Sequence, residues 1–458
     1  MTTAASTPQL SSGRTLSESR FARLVTLSAL YLAQGVPWGF ITVGYIVLLA
    51  DQGVDNATIG DALALAYVPW SFKILAGPLL DRVASTPFGR RRPFIVVAQL
   101  LMGLSLLALL FVDAKSQLAL VGAIFFLHNS FAALQDVATD ALAVDVLPED
   151  ERGKANSFMW ASKHAGIAVG GGGGLIVAKH FGWSALFVLN ALVIWAVMAL
   201  VIVIRERPKE ADGVAAAPAK RLDWAEIRRS FGFAAPLLGI AVALFTPAGY
   251  GLTGAVLLRL MRVDLQLSDE KIAVLSGTVG PIAGVGGALV GGFIADKVGV
   301  RKTMGALMAI VGIALAVFAA SSQLWPHMGF LVGFTIVASG AFSAFSAASL
   351  GFFMTLSNPA IGATQFALYM ALANVTYGWA SSVGGRLADR HGPKTTFAIA
   401  AALQIAAIGL LFLVNPKTAE ARFRGQRKAD ADAETAATAA VTRAEVAEAA
   451  EVSPSAMP

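Results

Sequence analysis

Twelve apolar blocks, each long enough to cross a lipid bilayer, follow one another along this chain, and nothing else in it constrains the fold as strongly. A helix needs about 20 apolar residues to span the hydrocarbon core. Blocks of that kind fall near 24–49, 57–80, 93–112, 118–144, 155–178 and 183–204, and again near 232–257, 270–294, 303–321, 327–352, 363–383 and 395–414. Backbone polar groups in lipid must be bonded within the protein, and segments this long satisfy them as helices. The pattern predicts an all-α membrane protein with twelve transmembrane helices. Only 14% of the residues are charged, against about 25% in soluble domains. The absence of cysteine excludes disulfide scaffolds, thiol nucleophiles and Cys-held metals.

The polar segments divide the chain. Residues 1–23 are Ser/Thr/Ala-rich and lack the apolar core of a signal peptide, so they read as a disordered tail. A first half, 24–204, is separated from a second, 232–414, by a charged linker at 205–231. The middle of the linker is Pro/Ala-rich, and 222–230 can form a short amphipathic surface helix. Beyond 415 the chain is Ala/Glu-rich with little to bury, and reads as a second disordered tail. Basic residues set the orientation. With the N-terminus in the cytoplasm, 25 of the 35 Lys and Arg fall on the cytoplasmic side and 8 outside, while Lys73 and Lys163 lie within spans. Both termini are therefore expected in the cytoplasm and the chain in the cytoplasmic (inner) membrane as a multi-pass protein. The excess charge then faces the lipid bilayer, and no nucleic acid is implied.

The halves repeat at a spacing of about 210 residues. Gly77-Pro78-Leu79-Leu80-Asp81-Arg82, followed by Gly89 and Arg90, Arg91 and Arg92, closes the second block. Gly291-Gly292-Phe293-Ile294-Ala295-Asp296-Lys297, followed by Gly299, Arg301 and Lys302, closes the eighth. The fifth block ends in Ala178-Lys179-His180-Phe181-Gly182 and the eleventh in Ala388-Asp389-Arg390-His391-Gly392. Two six-helix repeats joined by a linker are the pattern of alternating-access transporters, with the binding site between the halves. An acidic residue at a helix end beside a basic cluster is suited to a gate. Asp81, Arg82, Arg90, Arg91, Asp296, Lys297 and Arg301 are the candidates.

These doubled loops resemble the cytoplasmic gate motif of the major facilitator superfamily. Tyr67-Val68-Pro69-Trp70-Ser71-Phe72-Lys73, Gln135-Asp136-Val137-Ala138-Thr139-Asp140-Ala141 and Thr364-Gln365-Phe366-Ala367-Leu368 are, more narrowly, similar to the AmpG-type muropeptide permeases and their relatives, the acetyl-CoA transporters and some siderophore permeases. The resemblance covers roughly 24–414. It implies the major facilitator fold and a secondary transporter, acting as a monomer on a small solute without a cofactor.

A charge in the middle of a span costs about 2.5–3.5 kcal/mol on insertion scales, so each needs a reason. Lys73, Asp136 and Lys163 fall at similar depth in their blocks. Asp140 lies one turn from Asp136 and Asn129 one heptad away, which makes a polar stripe on the fourth helix. One reading is a proton-coupling pair, Asp136 and Asp140, with Lys73 and Lys163 meeting an anionic group on the cargo. The other is a static set of salt bridges, and for Asp140 a part in the gate. Repeat alignment places Phe345 opposite Asp136 and Ser349 opposite Asp140, so charge handling belongs to the first half.

The second half would then offer a softer wall of Ser343, Ser346, Gln365, Tyr369 and Thr376, unless these residues glue helices together. His164 is a further candidate binding residue or a packed histidine. Gly170 to Gly174 lacks a following Lys-Ser or Lys-Thr and reads as close helix packing. Gln34 to Gly39 and Thr246 to Gly251 interrupt equivalent helices, which brings Trp38 and Tyr250 forward as stacking groups for cargo. A membrane-embedded transferase would need a catalytic set at a membrane face, and the sequence offers neither that nor a metal site. A channel or receptor would not need the doubled loops.

Overall fold

The computed structural model describes residues 15–75, 80, 86, 88–113, 116–206, 224–358, 361–415, 418, 419, 421–425 and 435. Among the described residues, nine helical segments are long and apolar enough to cross a membrane. One of them, Thr364–Leu413, holds two spans, because Gly392 at φ 79° breaks the helix. The helix Asn56–Phe72 and the helical run 149–181 complete a set of twelve. We number the spans α1 (Arg20–Asp51), α2 (Asn56–Phe72), α3 (Arg92–Phe111), α4 (Leu118–Val146), α5 (149–181), α6 (Trp183–Val203), α7 (Ala234–Asp264), α8 (269–298), α9 (Val300–Ala320), α10 (Met328–Leu356), α11 (362–391) and α12 (393–413).

Local chemistry marks the ends. The Ser19 hydroxyl accepts from Ala22 N and starts α1, and the Asp55 carboxylate accepts from Thr58 N and starts α2. Gly182 and Gly392 have φ of 84° and 79°. L side chains disfavour that region, so the two glycines allow the abrupt turns that join α5 to α6 and α11 to α12 at equivalent places in the repeat. Pro37 does not break α1, which passes through a π turn at Phe40–Gly44. In α7 the interruption is real: the helix stops at Phe245, turns at Thr246 and Pro247, and resumes at Ala248. The glycine run in α5 serves packing. A Cβ on Gly171 would lie 3.1 Å from the Gly39 carbonyl oxygen, and one on Gly172 would lie 2.6 Å from Gly277 Cα in α8.

Apolar packing is divided unequally. One cluster draws on both halves, with Val47 and Leu49 from α1, Leu63 from α2, Val256 from α7 and Phe397 from α12. It fills the end of the bundle away from the chain termini, here called the far end. Toward the other, terminal end each half has its own cluster. Leu27, Ile95, Leu142 and Val201 belong to the first, and Met308, Phe352, Tyr369 and Leu411 to the second. The halves thus share a core at one end and separate toward the other.

Packed structure continues beyond the spans at both ends of the bundle-forming chain. Residues 15–19 are ordered: Leu16 N and Ser17 N donate to the Arg205 and Glu206 carbonyls at 2.8 and 3.0 Å. Arg23 lies within α1, with its guanidinium on Glu151 at 2.8 Å and on the Leu16 and Ser17 carbonyls. After α12, Phe423 is buried edge-on against Phe233 at 5.3 Å. Apolar Leu16 and Phe423 anchor stretches whose composition otherwise reads as tail. A short helix, Trp224–Ser230, precedes α7. Residues 1–14, 207–223 and most of 426–458 lie outside the described residues.

Candidate functional site: a charge cluster under an aromatic roof

Four helices of the first half bring their polar side chains together midway along the bundle. Beyond Phe72 the chain tightens into a 3-10 turn at Lys73–Leu75, and Lys73 Nζ lies 3.0 Å from Asp136 Oδ2 on α4. Asp136 is buried, 4% exposed, so the ammonium offsets a carboxylate that would otherwise be stranded. Asp140, one turn further along α4, is exposed and accepts the Tyr31 hydroxyl of α1 at 2.6 Å.

Lys163 on α5 is held differently. Its Nζ lies 5.1 Å from the Trp70 ring, 5.5 Å from Trp160 and 5.7 Å from Tyr31. Such ring faces attract a cation and are worth about 0.5–2 kcal/mol each. Among the described residues no carboxylate lies within ion-pairing distance of it. His164 neighbours the cage through Trp160, with ring centroids 6.3 Å apart.

Aromatic rings close the cluster on its far side. Trp38 stands edge-on to Tyr67 at 5.0 Å and to Trp70 at 5.7 Å. Tyr67 stacks on Tyr377 of α11 at 5.5 Å, which joins the two halves. Tyr250 lies flat on Phe342 at 3.9 Å, and Phe342 meets Tyr377 edge-on at 6.1 Å. Asn129 stays behind this roof at 1% exposure, taking Trp70 Nε1 on its Oδ1 at 2.9 Å and donating to the Phe125 carbonyl. Its role is to fix the Trp70 indole.

Gln365, Tyr369 and Thr376, three residues of the softer wall expected of the second half, make packing bonds. Gln365 accepts Asn358 N at 2.8 Å and donates to the Tyr369 hydroxyl at 3.1 Å, and that hydroxyl donates to the Pro236 carbonyl. Both side chains are buried within their own half, at 1% and 0% exposure. Ser346 and Thr376 donate to the Phe342 and Leu244 carbonyls. Gln365, Tyr369 and Thr376 thus serve as helix glue, whereas Ser346 also bonds the side chain of Tyr377 in the roof.

Among the described residues, the gate candidates at the terminal end make the following bonds. The backbone N–H groups of Arg90, Arg91 and Arg92 all donate to the Glu206 carboxylate, at 3.0, 3.0 and 2.8 Å. Arg91 Nε donates to Asp145 at 3.0 Å. Arg301 reaches the Val414 carbonyl at 3.0 Å, and Lys297 sits over the Phe293 ring at 4.2 Å. Asp81, Arg82 and the Asp296 side chain lie outside the described residues.

Contacts that bridge the halves gather at the far end. Asp389 of α11 caps α2, taking Asn56 N at 3.0 Å, Asn56 Nδ2 at 2.7 Å and Ala57 N at 2.6 Å. Arg386 pairs with Asp61 at 2.7 Å, Arg262 with Asp51, and Lys179 with Glu270. Arg259 Nε donates to the Val54 carbonyl at 3.1 Å. Sequence reading passed over this lock and over Tyr31, Tyr67, Tyr377 and Trp160 as site residues. One signal was available: the chain has only 6 tyrosines, and Tyr31, Tyr67, Tyr250 and Tyr377 all stand around the cluster.

The profile of the Major Facilitator Superfamily matches residues 27–357. The anhydromuropeptide permease of Escherichia coli (strain K12) is 28% identical over 410 residues, covering 87% of this chain and 80% of that protein. A putative transporter AmpG 4 of Rickettsia conorii is 24% identical over 411 residues, covering 86% and 97%. Among solved structures, a D-xylose-proton symporter superposes with a TM-score of 0.68 at 16% identity, covering 87% of this chain and 99% of that one. The nucleoside transporter NupG superposes at 0.68 with 13% identity, covering 85% and 98%. A profile match of that extent takes in well over half of the sequence, and the chain belongs to the Major Facilitator Superfamily, as a secondary transporter rather than an enzyme.

Proposed function

We propose that this protein imports an anionic sugar–peptide of the muropeptide class by proton symport. The observation that carries the reading is Lys163, an ammonium midway through the bundle with ring faces for neighbours and, among the described residues, no carboxylate of its own. A carboxylate on the cargo would complete it, and the exposed ring of Trp160 would take the apolar side of a sugar ring. The names of the permease relatives make the cargo class specific.

Charge balance supplies the coupling. The cluster holds two carboxylates, Asp136 and Asp140, and two ammoniums, Lys73 and Lys163. With both acids ionised it is neutral and has little to offer an anion. One proton leaves one positive charge in excess, which one cargo carboxylate neutralises. We assign that proton to Asp140 in preference to Asp136: Asp140 is exposed and hydrogen-bonded to a neutral phenol, whereas Asp136 is buried against Lys73.

Orientation follows the basic residues. The terminal end, with both termini, faces the cytoplasm, 24–204 and 232–414 are the two moving bodies, and the protein works as a monomer in the inner membrane. The far-end lock then closes the outside, and the present conformation is the inward-facing one. Binding to the purified protein tests the cargo assignment. An anhydromuropeptide should bind, and Lys163→Gln should weaken it by about tenfold or more, the worth of a charge-assisted bond. Equal binding of an uncharged disaccharide, or competition by coenzyme A esters or ferric siderophores but not by muropeptide, would reject it.

A further inference from the structure

One residue touches both halves of the proposed exchange. We infer that Tyr31 is the positioning residue that couples proton to cargo, its hydroxyl bonded to the proton-carrying carboxylate and its ring forming a wall of the cage around the anion-binding ammonium. This rests on the reading of Asp140 and Lys163 given above.

Tyr31 is 6% exposed on α1. Its hydroxyl donates to Asp140 Oδ1 at 2.6 Å, its ring centroid lies 5.7 Å from Lys163 Nζ, and its edge meets Trp160 at 6.4 Å. The charged groups facing Asp140 are Asp136 from α4 itself, Lys73 from the end of α2 and Lys163 from α5. Tyr31 alone among the cluster's aromatic rings joins Asp140 by hydrogen bond and Lys163 by ring face.

Ionised Asp140 holds the phenol by a charge-assisted bond, and bonds of that kind are roughly twice as strong as neutral ones. So held, the ring is fixed against Lys163 and occupies one side of the ammonium. A proton from water on Asp140 makes the bond a neutral one and removes the negative charge in the same event. The ring is then released from its fixed position, and a cargo carboxylate can approach Lys163 from the side the ring had covered. When cargo leaves toward the cytoplasm, Asp140 returns its proton to water and recaptures the hydroxyl. Tyr31 gains and loses no proton in this cycle. Acid therefore favours cargo binding, and the hydroxyl and the ring have separable parts in it.

The test uses the full-length protein in proteoliposomes with a labelled anhydromuropeptide as probe, and reads its dissociation constant between pH 5.5 and 8 alongside uptake driven by an acid-outside gradient. Tyr31→Phe keeps the ring and removes the hydroxyl. It should lower driven accumulation by about tenfold or more and flatten the pH dependence of binding, with affinity at acid pH changed by no more than a few fold. Tyr31→Leu removes the hydroxyl and the covering ring together and should likewise flatten the pH dependence, with affinity at pH 8 no weaker than that of the unaltered protein. Asp140→Asn, which still accepts the hydroxyl without a charge, should bind at pH 8 as the unaltered protein does at pH 5.5. Unaltered pH dependence and accumulation in Tyr31→Phe would overturn the inference, and so would unaltered pH dependence in Asp140→Asn should the first variant not fold. If the unaltered protein does not bind the probe, the cargo assignment falls first and the coupling role falls with it. A protein that binds and accumulates the probe while Tyr31→Phe behaves identically leaves the cargo assignment standing and rejects Tyr31 alone.

Discussion

Replacing Asp389 by Asn should loosen the far-end lock and shift the conformational balance toward the state open at that end. Asp389 takes three donors from the opposite half, namely Asn56 N, Asn56 Nδ2 and Ala57 N. It also places a negative charge on the N-terminus of α2, where the helix dipole favours one. An amide keeps one acceptor oxygen, so one or two of the three bonds survive, while the charge and the second oxygen are lost. Hydrogen bonds to charged groups are worth about 1.5–3 kcal/mol. Asp389 is exposed, which puts the loss at the lower end, about 1.5 kcal/mol, or a tenfold change in the ratio of the two states. Because the chain has no cysteine, spin labels at Gln117→Cys and Gln323→Cys, exposed at the far ends of the two halves, report the distance without background. The mutant should populate a longer far-end distance. A distance distribution that does not change would refute the capping role.

Three further outcomes follow from contacts elsewhere. A Cβ on Gly277 would lie 2.8 Å from Gly172 Cα, so Gly277→Leu should wedge the far end apart and give the longer distance with the lock residues intact; an unchanged distance with normal folding would mean that the backbones part without cost. Lys73→Met should destabilise the protein in detergent by about 3–5 kcal/mol through the stranded Asp136, and the double change Lys73→Met with Asp136→Leu should recover most of it; equal stability of the single and double variants would show that the pair is not a buried one. Asn129→Leu should orphan Trp70 Nε1, cost about 1–3 kcal/mol and weaken cargo binding by disordering the Lys163 cage; normal affinity would separate Trp70 from the site.

The fold was legible because lipid leaves the backbone few choices. Twelve long apolar blocks can only be helices, and the repeat of turn signals at Gly182 and Gly392 reflects a physical need for left-handed backbone at both places. Charges in the spans were legible for the same reason, since Lys73, Asp136 and Lys163 each demand a partner in lipid. Which partner each found was not legible. Lys73 and Asp136 are 63 residues apart and meet only through helix packing. The polar stripe of Gln365, Tyr369 and Thr376 has the same spacing whether it faces a cavity or a neighbouring helix, and here it faces neighbours. Aromatic side chains such as Tyr31 and Tyr377 are at home in any membrane helix, so their roles emerged from position. The far-end lock is built from acids and bases that in sequence carry a topology signal alone, although Arg262 and Arg386 stand among the few basic residues on that side.

The coupling of proton to cargo is tested most directly by the proton itself. Proteoliposomes with a weakly buffered lumen, a pH-sensitive dye inside and no imposed gradient are mixed with an anhydromuropeptide at pH 6.5. Cargo entering down its own gradient should carry about one proton per molecule, because one proton on Asp140 balances one anionic group at Lys163. The lumen should acidify in step with uptake, and Asp140→Asn should exchange cargo without that acidification. Uptake by the unaltered protein with no movement of protons would contradict proton symport and return the charge cluster to a structural role.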